Sequence, residues 1–142
     1  ADALPARARE VTAPQVEFHT GVPDPVHFAC RLLRKAYRSG ARVVVTAPPD
    51  TLAALDQALW TFEAQEFIPH VRLPGPAAAV AGRTPLWLAA ALPEGAPPVL
   101  VNLGAEPPAA AGNLQRIIEV VGTEPEARQA GRARWRHYAA WG

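Results

Sequence analysis

The chain has 142 residues, of which 49% are hydrophobic and 19% charged, and its formal net charge is +1. This length predicts one domain with a proper core, and this composition excludes a disordered chain. The net charge argues neither for nor against a nucleic-acid partner. We expect a cytoplasmic protein without membrane contact, since no apolar run could span a bilayer, no secretory signal opens the sequence, and a single cysteine, Cys30, excludes an internal disulfide.

The first predicted helix follows a predicted strand. Residues 1–14 contain alanine, arginine and proline without a period, which predicts a flexible extension before a single domain over 15–142. Gln15–Thr20 alternates polar and apolar residues, as strands do. Asp24 and Pro25 are a capping residue and a first-turn proline, so a helix should begin there and end at Gly40. Its outer face is basic, and we interpret it as a solvated face rather than a nucleic-acid footprint: Arg31, Arg34, Lys35 and Arg38.

The next elements indicate the fold class. Arg42–Thr46 is a β-branched run typical of a strand buried on both faces, and a turn then leads into a helix over 52–62. This alternation predicts an α/β three-layer sandwich, in which helices flank a central sheet that is mostly parallel or mixed. Leu86–Leu88 and Val99–Leu103 are further strand candidates, and Pro74–Gly82 is a predicted loop. Ile117–Val121 is too short for its periodicity to distinguish helix from strand.

The last helix combines basic and aromatic residues. Thr123 is its predicted N-cap, with Glu126 completing a capping box and Pro125 in the first turn. From Pro125 onward there are four arginines and one glutamate. One helix face carries three of these arginines and an indole, a combination that predicts an anion-binding surface: Arg128, Arg132, Trp135 and Arg136. The opposite side carries residues that could pack inward: Ala127, Ala130, Arg134, Tyr138 and Trp141.

Markers of catalysis are missing from the sequence. It contains neither G-x-x-x-x-G-K-[ST] nor a G-x-G-x-x-G after the first strand, so a Rossmann-like sheet is predicted without a nucleotide fingerprint. Asn102 and Gly104 lie at a probable strand end but are weak support for a ligand site. Cys30 lies on a buried helix stripe, and no paired histidine motif indicates a metal site. We therefore predict a protein that is not an enzyme and needs no cofactor.

A longer motif follows the second helix. Residues 55–70 read LDQALWTFEAQEFIPH, in which an amphipathic helix gives way to a short aromatic segment that ends in Pro69-His70. On residue types alone this segment is either a loop folded over its own core or a docking surface for another protein. His70 is predicted to hydrogen-bond within its own turn. The motif resembles the signature of the chi subunit of bacterial DNA polymerase III, and the likeness extends from about Val16 to the C-terminus.

The resemblance implies a replication adaptor with two docking surfaces. The first binds the psi subunit of the clamp-loader complex, through Trp60, Phe67, Ile68 and Pro69, and a helicase is a further candidate partner there. The second binds the acidic C-terminal tail of the single-stranded DNA-binding protein, so that DNA is contacted only indirectly. The tail contacts fall on Val121, Arg128, Arg132, Trp135 and Arg136, where Trp135 replaces the tyrosine of familiar members.

Two other functions are compatible with the residues. A small nucleotide-binding protein or enzyme on a Rossmann-like fold is the main alternative, although the glycine-rich fingerprint is missing. Direct binding of single-stranded DNA through Arg128–Arg136 is the other, because arginines interleaved with aromatic residues also serve that purpose.

Overall fold

The computed structural model describes residues 14–61, 68–73, 84–93 and 95–141. The predicted N-terminal extension up to residue 13, the Pro74–Gly82 loop and the side chains of Phe62 and Phe67 lie outside these ranges. Six strands and three helices are present in the described part: β1 (Gln15–Val22), α1 (Pro25–Arg38), β2 (Val43–Thr46), α2 (Pro49–Thr61), β3 (His70–Arg72), β4 (Leu86–Ala89), β5 (Val99–Asn102), β6 (Arg116–Gly122) and α3 (Pro125–Ala139). None of these helices has the length and apolar character needed to cross a membrane.

The strands form one sheet in the order β1-β6-β5-β2-β4-β3. All five neighbouring pairs are parallel, and β1 at one edge pairs with β6 from near the other end of the chain. The predicted α/β sandwich is therefore confirmed, with a parallel rather than a mixed sheet. Parallel sheets need cover on both faces, which explains why strands such as Val43–Thr46 are apolar along their whole length.

Alternate residues of the central strands contribute to two separate cores. One face packs against α1 and α2, with Leu33 and Leu55 completely buried against Val45 and Ile118. The other face packs Ile117 and Leu100 beneath Tyr138 of α3. Because a strand alternates its side chains between faces, odd-numbered residues of β6 point towards α3 and even-numbered ones towards α1. Glu119 therefore points towards α3, between Ile117 and Val121.

The helix starts differ in how they are capped. The Asp24 side chain accepts a hydrogen bond from the His27 N–H at 3.1 Å and Pro25 occupies the first helical position, as predicted. For α3 the prediction of a Thr123 cap was wrong. Glu124 is the N-cap residue, and no side chain caps this end. Pro125 takes the first helical position, where its missing N–H costs nothing. The N-cap is therefore the residue directly before it, Glu124, rather than Thr123.

The sequence left the type of one strand open and did not predict another. Ile117–Val121 is a strand, because it lies between β1 and β5 with both faces covered. The sequence did not indicate β3, which has three residues, His70–Arg72, beside β4 at the other edge. A strand of three residues is too short to show an alternating pattern.

Candidate functional site

A buried ion pair fixes α3 to the sheet. Glu119 Oε1 accepts a hydrogen bond from Arg134 Nε at 2.7 Å, and Glu119 Oε2 accepts from Asn102 Nδ2 at 3.0 Å and from the Tyr138 hydroxyl. Glu119 is completely buried, and Arg134 is 6% exposed. Burial, and then the hydrogen bond to Glu119, raise the pKa of Tyr138 far above its usual range, so the phenol stays protonated as a donor. Arg134 is thus structural, as its position on the inward side of the helix suggested.

Asn102 belongs to the same network. Its Oδ1 accepts from the Thr46 hydroxyl at 3.1 Å and from the Ala105 N–H at 2.8 Å, and its Nδ2 also donates to the Ala105 carbonyl at 2.9 Å. The residue lies at the carboxyl end of β5, where α/β folds place ligands. Its amide is nevertheless occupied by protein groups on both sides. It holds the turn after β5 and has no free group to offer a ligand.

The outward side of α3 carries a basic flank, consisting of Arg128, Arg132, Trp135 and Arg136. All four side chains are exposed, and the indole of Trp135 is 59% exposed. Within the part of the chain that the structure describes, no carboxylate forms an ion pair with any of the three guanidinium groups. A row of exposed, uncompensated guanidinium groups is suited to binding carboxylates or phosphates.

An apolar cleft adjoins this flank between β1 and α3. It has a volume of about 250 Å³ and is lined by Pro14, Val16, Phe18, Trp135, Tyr138, Ala139 and Trp141. The Phe18 and Tyr138 rings meet edge to face at 6.2 Å, and Tyr138 meets Trp141 at 5.1 Å. Because a dry cavity of about 150 Å³ accepts benzene, the cleft is large enough for one aromatic side chain. Pro14 and the two β1 residues, Val16 and Phe18, were not among the predicted site residues.

Val121 is placed differently from the other four predicted tail-binding residues. It is 3% exposed and lies beneath α3, where it lines a second cleft of about 440 Å³ at the carboxyl ends of β5 and β6. A Cβ atom at Gly131 would lie 2.9 Å from Val121 Cγ2 and 3.2 Å from Cγ1. The structure thus brings Arg128, Arg132, Trp135 and Arg136 together on one flank and puts Val121 under the helix that carries them.

Replacing Gly131 with alanine is expected to destabilise the protein by about 1–3 kcal/mol, because the added methyl group overlaps Val121. This change runs against helix propensity, which favours alanine over glycine by about 1 kcal/mol. Urea unfolding of the two proteins measures the difference. Gly122→Ala is the matched control, since its Cβ would meet Ala127 and Pro25 at an ordinary 3.7 Å. Equal stability of Gly131→Ala and the parent would mean that α3 does not approach β6 this closely.

A second candidate surface lies at the end of α2. Trp60 is 61% exposed, and its ring meets His70 at 5.3 Å. His70 forms hydrogen bonds through Nδ1 to the Ile68 carbonyl at 2.7 Å and through Nε2 to Asp56 Oδ1 at 2.8 Å, which confirms the predicted bond within its turn. Pro69 is half-buried. Ile68 is completely buried, so its side chain anchors residues 68–70 and offers no surface to a partner.

Cys30, the potential metal ligands of the described ranges and the 440 Å³ cleft bear on the enzyme and nucleotide-binding alternatives. Cys30 is 1% exposed, and burial raises the pKa of its thiol to about 11, so the thiolate that a nucleophile requires is scarce at neutral pH. No group of three potential metal ligands occurs within the described ranges. The 440 Å³ cleft, at the edge where a nucleotide would bind, is lined by Glu124 and Glu126. Their carboxylates would repel a phosphate.

Comparison with known proteins agrees with the signature at residues 55–70. Residues 14–142 match the family described as "DNA polymerase III chi subunit, HolC". The chain is also 36% identical over 120 residues to the DNA polymerase III subunit chi of Pseudomonas aeruginosa, an alignment that covers 80% of this chain and 78% of the relative. The match extends over β1, the aromatic segment after α2 and all of α3. The chain therefore belongs to the DNA polymerase III chi subunit family.

Proposed function

We propose that this protein is a non-catalytic adaptor of DNA replication in the cytoplasm, which joins the clamp loader to DNA coated with single-stranded DNA-binding protein. Membership of the chi subunit family supports an accessory role in replication. In this proposal the basic flank binds the acidic C-terminal tail of the single-stranded DNA-binding protein. The aromatic segment after α2 binds the psi subunit. A helicase is a further candidate for that second surface.

The observation that carries the tail-binding proposal is the combination of the basic flank with the apolar cleft beside it. Arg128, Arg132 and Arg136 are exposed and have no carboxylate partner within the described ranges, and Trp135 forms a wall of the cleft. An acidic peptide that ends in phenylalanine needs guanidinium donors for its carboxylates and an apolar cavity for its ring. Val121 contributes by holding α3 against the sheet, and so positions the flank.

The expected affinity of the tail follows from these contacts. Each charge-assisted hydrogen bond contributes about 1.5–3 kcal/mol when it is partly shielded from water. Ordering the peptide offsets much of the gain from three such bonds and one ring, which leaves about −8 kcal/mol, a micromolar dissociation constant. Because the contacts are exposed and ionic, binding should weaken as salt concentration rises.

For the psi subunit we propose contacts from Trp60, Phe67 and Pro69. Trp60 is exposed, and the hydrogen bonds of His70 fix the chain directly after the aromatic segment. The buried Ile68 side chain anchors residues 68–70 beside Trp60. An exposed indole with a half-buried proline nearby is typical of a protein–protein interface core.

A fluorescence titration tests the tail-binding proposal. The exposed Trp135 should report the binding of an acidic peptide that ends in phenylalanine, with micromolar affinity that falls with added salt. A peptide of the same sequence with alanine at its end should bind more weakly, because the cleft stays empty. Oligo-dT and nucleotides complete the comparison. Preferential binding of either one over the peptide would reject the adaptor and favour a DNA-binding or nucleotide-binding protein.

A further inference from the structure

The outer edge of β1 faces no other strand of the described sheet. β1 is the terminal strand of the sheet, and the Gln15 N–H donates to the Gln115 carbonyl at 3.0 Å. In a parallel ladder, alternate residues of an edge strand bond to the neighbour, and those between them point outward. The N–H and C=O groups of Val16 and Phe18, which precede an irregularity in the ladder between His19 and Val22, therefore point away from β6. Nothing in the described part of the chain hydrogen-bonds to them.

The free edge of β1 and the basic flank of α3 lie on the same side of the molecule. Trp135 shares its cleft with Val16 and Phe18 of β1, whereas Ala133 and His137 line a cleft with residues 104–107, which follow β5 on the other side of β6. Arg128 and Arg132 precede Trp135 by seven and three residues, which puts them on the same flank of the helix. Arg136 lies next to Arg132, on the side of the flank that faces solvent.

The spacing of the arginines matches that of an extended peptide. Four residues of helix advance about 6.0 Å, and two residues of strand advance about 6.6 Å. Alternate side chains of a peptide laid along β1 would therefore face Arg128 and Arg132 in turn. Glu17, the carboxylate on β1, points to the opposite face, where Arg116 binds it at 2.8 Å. Hydrogen bonds from His19 and then Arg116 lower its pKa, so its charge is present but paired at neutral pH.

We propose that the acidic chain end binds as an added strand along the free edge of β1, antiparallel to it. This inference rests on the proposed function and adds how the partner binds. Since α3 runs opposite to the strands, Arg128 lies towards the carboxyl end of β1 and Trp135 towards its start. The acidic residues meet Arg128 and Arg132, and the terminal ring enters the cleft beside Val16 and Phe18. Main-chain hydrogen bonds to Val16 and Phe18 complete the interface, as in other cases of strand addition.

Scanning the peptide with N-methyl groups tests this proposal without altering the protein. Each amide of the acidic phenylalanine-terminated peptide is methylated singly, and each product is titrated against the intact protein. Added strands donate from every second amide. Alternate positions should therefore lose about fivefold to tenfold in affinity or more, while those between them change little. Losses without a period of two would overturn strand addition.

A substitution in β1 provides a second readout. Val16→Pro removes an outward N–H while leaving the bonds of Gln15 and Glu17 to β6, and should weaken the peptide by about fivefold to tenfold. Val16→Ala keeps the N–H but removes more of the cleft wall than proline does, and should weaken the peptide less. An equal or larger loss in Val16→Ala would overturn the proposal. These experiments distinguish a failure of strand addition from a failure of the tail-binding function. Binding that depends on Arg132 but shows no alternation rejects strand addition alone, whereas binding that ignores Arg132→Ala rejects the tail-binding function itself.

Discussion

Replacing Arg134 with methionine is expected to lower the free energy of unfolding by about 3–5 kcal/mol, the typical cost of removing one partner from a buried ion pair. The Glu119 carboxylate would lose its guanidinium partner in a site without exposure to water, with Asn102 and the Tyr138 hydroxyl as its remaining donors. Urea unfolding monitored by circular dichroism measures the loss. Because the pair attaches α3 to the sheet, the same variant should bind the acidic peptide weakly.

Two control variants show whether the loss of stability comes from breaking the ion pair or from removing an arginine as such. Arg132→Met makes the same substitution two residues earlier, on the exposed flank, and its stability should stay within about 0.5 kcal/mol of the parent. The double variant Glu119→Gln, Arg134→Met removes both charges and keeps an oxygen acceptor for Asn102 and Tyr138. It should recover much of the stability lost in Arg134→Met. If Arg134→Met were as stable as Arg132→Met, the buried pair would not hold the helix.

Reversing two charges on the basic flank, Arg128→Glu with Arg132→Glu, should weaken the acidic peptide by at least about a hundredfold. Two charge-assisted contacts are lost, each contributing about 1.5–3 kcal/mol, and two repulsive ones replace them. The stability of the fold should change little, because both side chains are exposed. Fluorescence titration measures the affinity. Arg31→Glu with Lys35→Glu makes the same change of net charge on α1 and should leave the peptide affinity within about twofold once salt screens the distant charges.

The aromatic segment after α2 supplies the complementary variant. Phe67→Ala should abolish binding to a psi subunit and leave the peptide affinity unchanged, while the double charge reversal on α3 should do the opposite. The expectation follows from the sheet, since α2 and α3 cover opposite faces. If each variant damaged both interactions to the same degree, the two partners would share one surface rather than two.

Local sequence signals predicted most of the architecture. Asp24-Pro25 marked the start of α1, and the β-branched run before Thr46 marked a strand covered on both faces. Where the signal was short or ambiguous, tertiary contacts decided the outcome. Three residues made β3 invisible as a pattern, and the helix-or-strand ambiguity at Ile117–Val121 was resolved by neighbours on both sides.

The candidate site also combines features that local spacing predicted with features that depend on tertiary contacts. Helical spacing was enough to collect Arg128, Arg132, Trp135 and Arg136 on one flank. It could not reveal that Glu119 would be buried opposite Arg134, because the residues are 15 apart and meet only once α3 folds back over β6. Nor could it show that Val16 and Phe18 form a cleft with Trp135, since β1 and α3 lie at opposite ends of the sequence. Gly131 was a visible signal that went unused: a glycine within a helix often marks a close approach to another element.

The pairing of β1 with β6 has a consequence for biosynthesis. The first strand finds its neighbour about a hundred residues later, at Arg116–Gly122. A nascent chain that stops before this point has the edge of β5 uncovered and no partner for β1. Contacts between such distant segments form late and slowly, because the intervening chain must first be ordered. The groove between β1 and α3 therefore exists only after α3 has been synthesised, and a translation product that stops before α3 could not compete for the same ligand.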